Sequence, residues 1–423
     1  MELDLSPFRG HFPSLRQKYQ GKRLVFFDNP GGTQVPQSVI DHTTSYFQDS
    51  VANVHGGFLT SQRTDAVIEE CHVGLAALLG GAPDEIVLGA NMTTLTFALS
   101  RSLAREWQPG DEIVVTTLDH DANITPWRMA AEERGVTVRQ VDINPADCTL
   151  DWADLTSKIT PRTKLVAVGW SSNAVGTITD VRQVVALAHS VGALCFVDAV
   201  QAVPHIPCDV AALGADFVAC SAYKFFGPHI GVLWGRREHL ERLTVYKVRP
   251  APETLPSRWE TGTQNHEGQA AINGALEYLG GLGVSYIDRY EQQLGSASGQ
   301  RLTLLAALHV IEEYERDLGQ YLIAALQSIP GERIYGITAP ERAAERVPTV
   351  AFCREGLAPQ AIAARLAAHG IAVWSGHYYA LALVERLGLA QTGGMVRVGL
   401  AHYNTRDEID QMLNLVEAMR QGD

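Results

Sequence analysis

The sequence predicts an α/β fold: a mainly parallel central sheet sandwiched by helices, followed by a smaller α+β domain at the C-terminal end. Three observations carry this expectation. From about residue 84 onward, short apolar β-branched runs alternate with segments of helical periodicity, the pattern of strand–crossover–strand units and so of a parallel sheet. The chain has 423 residues, beyond the size at which a single core keeps growing, so a second unit is expected. After a polar, Pro-rich stretch over 245–268, helical patterns dominate to the end.

The strand candidates, in order, are Glu85-Ile-Val-Leu, Glu112-Ile-Val-Val-Thr, Val136-Thr-Val-Arg-Gln-Val, Lys164-Leu-Val-Ala-Val-Gly-Trp, Ala193-Leu-Cys-Phe-Val and Asp216-Phe-Val-Ala-Cys. Between the fourth and fifth, Val184, Val185, Leu187, Ala188 and Val191 recur at helical spacing and Gly192 supplies a C-terminal cap, which makes this a crossover helix. The 245–268 stretch has no sustained period, and a loop of that length is usually functional. Helices are expected over 286–315 and over 359–369, the latter closed by Gly370. The last helix opens with the capping box Thr405-Arg-Asp-Glu408 and lines up Ile409, Met412, Leu413, Val416 and Met419 on one core-facing stripe. The expected division is an N-terminal segment, 1–30, packing with the small domain, a large domain over 31–285, and a small domain over 286–423.

Composition narrows the function classes. A net charge of −13, with no Lys/Arg cluster interleaved with aromatics, argues against nucleic acid as a partner. The first residues lack a basic and then apolar leader pattern, and no stretch approaches about 18 uninterrupted apolar residues. No membrane association is expected, and the cytoplasm is the expected location. Six cysteines, at positions 71, 148, 195, 208, 220 and 353, are widely spaced with no C-x-x-C pair. They are expected to be reduced thiols, with no disulfide framework and no metal site.

The chemistry centres on Lys224, in Phe217-Val-Ala-Cys-Ser-Ala-Tyr-Lys-Phe-Phe-Gly-Pro, and on Asp198, which ends the preceding apolar run. A lysine amine that can form a Schiff base and a buried carboxylate able to hold a pyridine nitrogen protonated are together what pyridoxal 5'-phosphate requires. The residues alone also allow a solvated lysine and a helix-capping aspartate. In an open parallel sheet ligands lie beyond the carboxyl ends of the strands, where Asp198, Ser221 and the Ser171-Ser172-Asn173 turn all fall. Gly89-Ala-Asn-Met-Thr-Thr follows a strand and opens a helix, so Thr93 and Thr94 sit in a first turn that can hold a phosphate or simply be capped by them. Ser221 is a second phosphate candidate. His120 can stack on a pyridine ring or serve as a hydrogen-bonded loop histidine. Gln201 and Asn173 are placed to reach a phenolic oxygen, and Asn173 also a substrate carboxylate. Arg397, in Met395-Val-Arg-Val-Gly-Leu, is either a carboxylate-binding fork or an exposed strand residue.

Taken in order, these segments resemble the class V group of fold-type I pyridoxal-phosphate enzymes, and within it the cysteine desulfurase and selenocysteine lyase branch. The likeness runs nearly end to end, through Phe27-Asp-Asn-Pro-Gly-Gly-Thr-Gln, Asn53-Val-His-Gly-Gly, Asp119-His-Asp-Ala-Asn-Ile-Thr-Pro-Trp, Ser172-Asn-Ala-Val-Gly, Val197-Asp-Ala-Val-Gln-Ala, Ser221-Ala-Tyr-Lys-Phe-Phe-Gly-Pro, Glu260-Thr-Gly-Thr-Gln-Asn and Val396-Arg-Val-Gly-Leu-Ala-His-Tyr-Asn. The resemblance implies that Lys224 carries the cofactor, Asp198 pairs with its ring nitrogen, His120 stacks on the ring and Gln201 reaches its phenolic oxygen. It places Thr93 and Ser221 on the phosphate, with Thr263 reaching the same phosphate from the partner subunit of a homodimer with shared active sites. Arg397 and Asn173 match positions that bind an α-carboxylate, which makes the substrate an α-amino acid.

The chain departs from that pattern in three places. Where the family has Gly-His-His-Cys-Ala, this chain reads Gly376-His-Tyr-Tyr-Ala380, so Tyr379 stands at the position of the sulfur-accepting cysteine. Asn91-Met92-Thr93 replaces Gly-Thr-Thr, leaving the Met92 backbone amide to serve the phosphate, and Tyr223 replaces the histidine that usually precedes the lysine. Cys353, the nearest other cysteine in sequence, lies in an apolar run and is expected to be buried and inert. The expected chemistry is proton removal at Cα followed by β-elimination of a sulfur or selenium leaving group. Transamination, racemisation and β-lyase action on another side chain remain open, as does a non-catalytic scaffold or sensor. Specificity is expected around Tyr378, Tyr379, His55 and the 245–268 loop.

Overall fold

The computed structural model describes residues 3–419. Its central sheet has seven strands in the spatial order Ile86–Gly89, Gly231–Gly235, Phe217–Ser221, Leu194–Asp198, Thr163–Gly169, Glu112–Thr116 and Thr137–Val141. Gly231–Gly235 runs antiparallel to both its neighbours, and the remaining pairings are parallel. All six sequence-predicted strands are in this sheet. The seventh went unread because a five-residue run bounded by glycines, just after a Gly-Pro turn, carries no periodicity.

The interior strands Glu112–Thr116 and Phe217–Ser221 are buried throughout and Leu194–Asp198 is buried from Cys195 on, which is why they read as continuous apolar runs and not as alternation. Successive side chains still go to opposite faces. Val114, Val166, Val197 and Val218 join one buried cluster, whereas Ile113, Val115, Leu165, Phe196 and Phe217 join another. Each such side chain, fully buried, contributes roughly 1.5–3 kcal/mol. The crossover helix Val181–Ser190 lays Val184, Val185 and Ala188 on the first of these faces and ends at Gly192, whose φ of +78° lets its N–H return to His189 O at 3.0 Å.

A four-stranded antiparallel sheet follows, in the order Glu332–Tyr335, Thr349–Arg354, Met395–Gly399, Trp374–Gly376. Against it pack the helices Gly299–Ser328, Pro359–Ala367 and Arg406–Ala418, through Leu322, Leu326, Ile362, Leu366, Ile409 and Met412. The capping box of the last helix is formed: Glu408 N–H donates to Thr405 Oγ1 at 3.3 Å, and Thr405 N–H donates to Glu408 Oε2 at 3.2 Å. The short strand Val25–Phe26 pairs with Ile371–Ala372. One expectation needs correction. The 286–315 segment is not a single helix: two short turns, Ile287–Arg289 and Glu291–Leu294, end at Gly295 with φ +54°, and the long helix starts only at Gly299. The Gly-Ser-Ala-Ser-Gly stretch between them offers no side chains to continue a packed helical face.

Candidate active site

The carboxyl ends of the parallel strands meet a cavity of about 760 Å³. The sheet register places its wall: Asp198 is level with Gly169 on one side, and Ser221 is level with Gly231, which is in turn level with Gly89. Asp198 and Ser221 are therefore the last residues of adjacent strands and point chemistry at one edge.

Lys224 lies in the turn Ala222–Lys224 that follows Ser221. That turn is clamped from the N-terminal segment. Thr33 N–H donates to Tyr223 O at 3.0 Å, and Phe226 N–H, at a φ of +69°, donates to Thr33 Oγ1 at 2.9 Å. The Lys224 amine is buried, donates to Pro30 O, and lies 4.5 Å from the Tyr223 ring. Burial, aided by the Arg397 charge, brings its pKa down to about 7, against the opposing pull of Asp28 and Asp198. At neutral pH much of it is an uncharged nucleophile.

Asp198 accepts from Val200 N–H at 2.9 Å, and burial raises its carboxyl to about 6. Beside it Asp119 accepts from Gly169 N–H and from Asn123 Nδ2, both at 2.8 Å, and is pushed to about 8 by burial and then by the Asp198 charge. Two carboxylates this close resist double ionisation, so a cation at Asp198, such as a protonated ring nitrogen, relieves the pair. His120 accepts from Ala122 N–H at its Nδ1, 3.0 Å, and burial lowers it to about 4, so a neutral ring with a protonated Nε2 faces the cavity. Gln201 donates to Pro30 O at 2.9 Å, the same carbonyl that Lys224 uses.

At the other end of the cavity the helix Met92–Ala104 begins. Asn91 and Thr94 cap it reciprocally, so Thr94 takes the structural part and leaves Thr93 in the cavity wall beside buried Met92. A Cβ on Gly231 would sit 2.2 Å from Asn91 C, so only glycine lets the sheet press the helix start against the level of Ser221.

Arg397 is buried on its strand, opposite Trp374. It donates to Asn173 O at 3.0 Å and to Asp28 at 3.4 Å, and its guanidinium lies 4.5 Å from the Tyr378 ring. Asn173 Nδ2 donates to Tyr378 O at 2.8 Å. Three buried polar atoms of this wall, Ser171 Oγ, Asn173 Oδ1 and Arg397 Nε, have no partner among the described residues. Such atoms are costly unless something completes them.

Of the sequence-predicted site residues, Met92, Thr93, His120, Asn173, Asp198, Gln201, Ser221, Tyr223, Lys224, Tyr379 and Arg397 all line this cavity. His55 and Thr263 do not. The His55 side chain is 78% exposed and pairs with Asp65, and Thr263 is exposed in the loop before helix His266–Val284. Cys353 is half-buried, not fully buried; it donates to Gly394 O at 3.4 Å, lies outside the cavity wall, and burial raises its thiol pKa. Sequence reading passed over Asp28, Asp119 and Trp374, although the first two stand inside quoted motifs.

The residues fit pyridoxal phosphate: an uncharged buried amine, a carboxylate pair one of whose members lacks a cation, a neutral imidazole face and a helix start pressed to the sheet by a glycine. Fold and site together define a fold-type I pyridoxal-phosphate enzyme. The aminotransferase class-V family matches residues 25–310 and 304–412. A probable cysteine desulfurase of Mycolicibacterium paratuberculosis is 34% identical over 99% of this chain and 59% of its own length. A cysteine desulfurase of Serratia proteamaculans is 32% identical over 98% of this chain and 97% of its own. An apo cysteine desulfurase structure from Thermococcus onnurineus superposes with a TM-score of 0.83 at 28% identity, covering 99% of this chain and 98% of that one. The chain spans 59% to 66% of the length of the first three curated relatives it matches. It belongs to the aminotransferase class-V family, among its cysteine desulfurase-like, pyridoxal-phosphate-dependent members.

Proposed function

We propose that this chain is a C–S (or C–Se) lyase of α-amino acids that releases its sulfur or selenium product free. The observation that carries this reading is the convergence of Lys224, Asp198 and Arg397 on one cavity whose rim presents Tyr379, a residue with no thiol to accept sulfur. Bound pyridoxal phosphate withdraws electrons from the α-carbon of an attached amino acid and so eases loss of its proton.

The protein's own residues then divide the work. Lys224 holds the cofactor and, near its pKa of about 7, can take a proton from Cα and return it. Asp198 keeps the ring nitrogen protonated, Asp119 reinforces the demand for a cation there, and His120 offers a neutral face to the ring. Gln201 is near enough to serve the phenolic oxygen. Thr93, Ser221 and the Met92 amide hold the phosphate at the helix start. Arg397, whose 3.4 Å contact with Asp28 leaves room for a competitor, binds the substrate carboxylate together with Asn173.

The second subunit enters through Thr263. Its exposure, with that of Phe47, Val51, Phe58, Leu59 and Val284 on or beside the helices Gln37–Asp49, Leu59–Leu79 and His266–Val284, supports a homodimer in which Thr263 reaches the partner's phosphate. The division at residues 30/31 and 285/286 belongs to the same reading, since the two sheets draw their strands from either side of the second boundary. Six free thiols suit the reducing cytoplasm. Among the described residues no helix is long and apolar enough to cross a membrane.

Incubation of the holoenzyme with L-cysteine, L-selenocysteine and S-substituted cysteines, with assay of pyruvate and of the freed sulfur or selenium species, tests this. Pyruvate in step with the released species supports elimination. Accumulation of pyridoxamine phosphate or of the opposite enantiomer, with no pyruvate, would replace it by transamination or racemisation.

A further inference from the structure

We propose that Trp374 and Tyr379 form a side-chain subsite for an aromatic or apolar group, so that the substrate is an S-substituted cysteine and not free cysteine; this rests on the lyase reading above.

Trp374 is the cross-strand partner of Arg397, so their side chains stand on one face of the small sheet. A substrate whose carboxylate is held by Arg397 thus has an indole beside it. Trp374 is 54% and Tyr379 68% exposed, yet both line the cavity. The Tyr379 ring lies 5.4 Å from that of His120 at 20° between planes, which extends a stacking surface from the cofactor side to the mouth.

This aromatic rim is held in place. Tyr378 and Tyr379 both take left-handed backbone, φ +53° and +60°, a conformation that bulky residues adopt only where surroundings enforce it. The enforcement is visible: Asp121 N–H donates to Tyr379 O at 2.7 Å, Tyr379 N–H to His377 Nδ1 at 3.1 Å, and Asn173 Nδ2 to Tyr378 O at 2.8 Å. Charge points the same way. Among the described residues, Lys224 and Arg397 are the only lysine and arginine in the cavity wall, which also holds His120, His229, Asp28, Asp119, Asp121 and Asp198. An acidic side chain would meet these four aspartates, with Lys224 and Arg397 already assigned to the cofactor and the carboxylate. A thiol alone would leave the indole and phenol uncovered.

The reaction balances with water as co-reactant. The Cα–H and Cβ–S bonds break, the sulfur leaves with the bonding pair and takes up a proton, and the remaining three-carbon fragment is hydrolysed. R–S–CH2–CH(NH3+)–COO− and water give R–SH, pyruvate and ammonium, with no net oxidation.

Binding and turnover test the two parts separately. L-Phenylalanine, L-alanine and L-aspartate have no leaving group that elimination can expel, so their equilibrium dissociation constants report the subsite alone; isothermal titration calorimetry of the holoenzyme reads them in parent and variants alike. We expect L-phenylalanine to bind at least tenfold more tightly than either of the others, and Tyr379→Ala and Trp374→Ala each to erase most of that margin. Dissociation constants within twofold across the three, or a margin that survives both substitutions, would overturn the subsite. For turnover, S-benzyl-L-cysteine should exceed L-cysteine at least tenfold in kcat/KM, read as pyruvate and benzyl thiol. Equal or reversed values overturn the assignment of substrate while leaving the lyase reading intact. No pyruvate from any cysteine derivative, with the binding margin intact, overturns the lyase reading and the substrate but keeps the subsite.

Discussion

The Lys224 amine sits between its two protonation states at neutral pH because burial outweighs the attraction of Asp28 and Asp198. An ordinary lysine remains charged to about pH 10, whereas this one loses its proton through about 7, so capture of pyridoxal phosphate by the apoprotein should accelerate as pH rises through about 7 and then level off. Stopped-flow absorbance against pH checks this, and a midpoint near 10 would contradict it. Asp198 opposes the downward shift, so Asp198→Asn should move the midpoint lower still and reduce turnover by roughly 10²–10³-fold, the scale of losing a preorganised charge. Lys224, Asp198 and Ser221 were legible in sequence because each ends, or closely follows, an apolar run at a strand's carboxyl end. Asp28 was not, since its partner Arg397 is 369 positions away and only the folded chain brings them together. Thr263 was read from resemblance and His55 as part of the expected specificity region, and a single chain leaves both outside the cavity.

Gly231 decides how two elements meet. The strand Gly231–Gly235 lies between Phe217–Ser221 and Ile86–Gly89, and its first residue touches the backbone where helix Met92–Ala104 begins. Gly231→Ala should push that helix start away, at about 1–3 kcal/mol for the overpacked methyl. Cofactor affinity should fall more than thermal stability; calorimetry and equilibrium dialysis measure the two. Unchanged affinity would remove the phosphate end from its assigned place. At this scale the sequence was legible where strands are long and buried on both faces, and where capping chemistry is explicit, as at Thr405 and Glu408. It was illegible where a short strand lies between glycines, or where a glycine at positive φ interrupts a run of helix-forming residues, as at Gly295.

Across the whole molecule, the proposed sharing of sites between two subunits makes a prediction that one subunit cannot satisfy. Lys224→Ala and Thr263→Ala homodimers should each be defective, the latter by about tenfold or more in cofactor retention. A hybrid of the two has one site with Lys224 from one chain and Thr263 from the other, and should recover about half of normal retention. A hybrid no better than its parents would place Thr263 in its own chain's site or in none. The central claim, that the cavity at the carboxyl edge of the seven-stranded sheet is built around a cofactor held by Lys224, is tested most directly by borohydride reduction of the holoenzyme followed by peptide mass spectrometry. The account predicts a phosphopyridoxyl group on Lys224 and on no other lysine. Label on a different lysine, or none after saturation with pyridoxal phosphate, would contradict it.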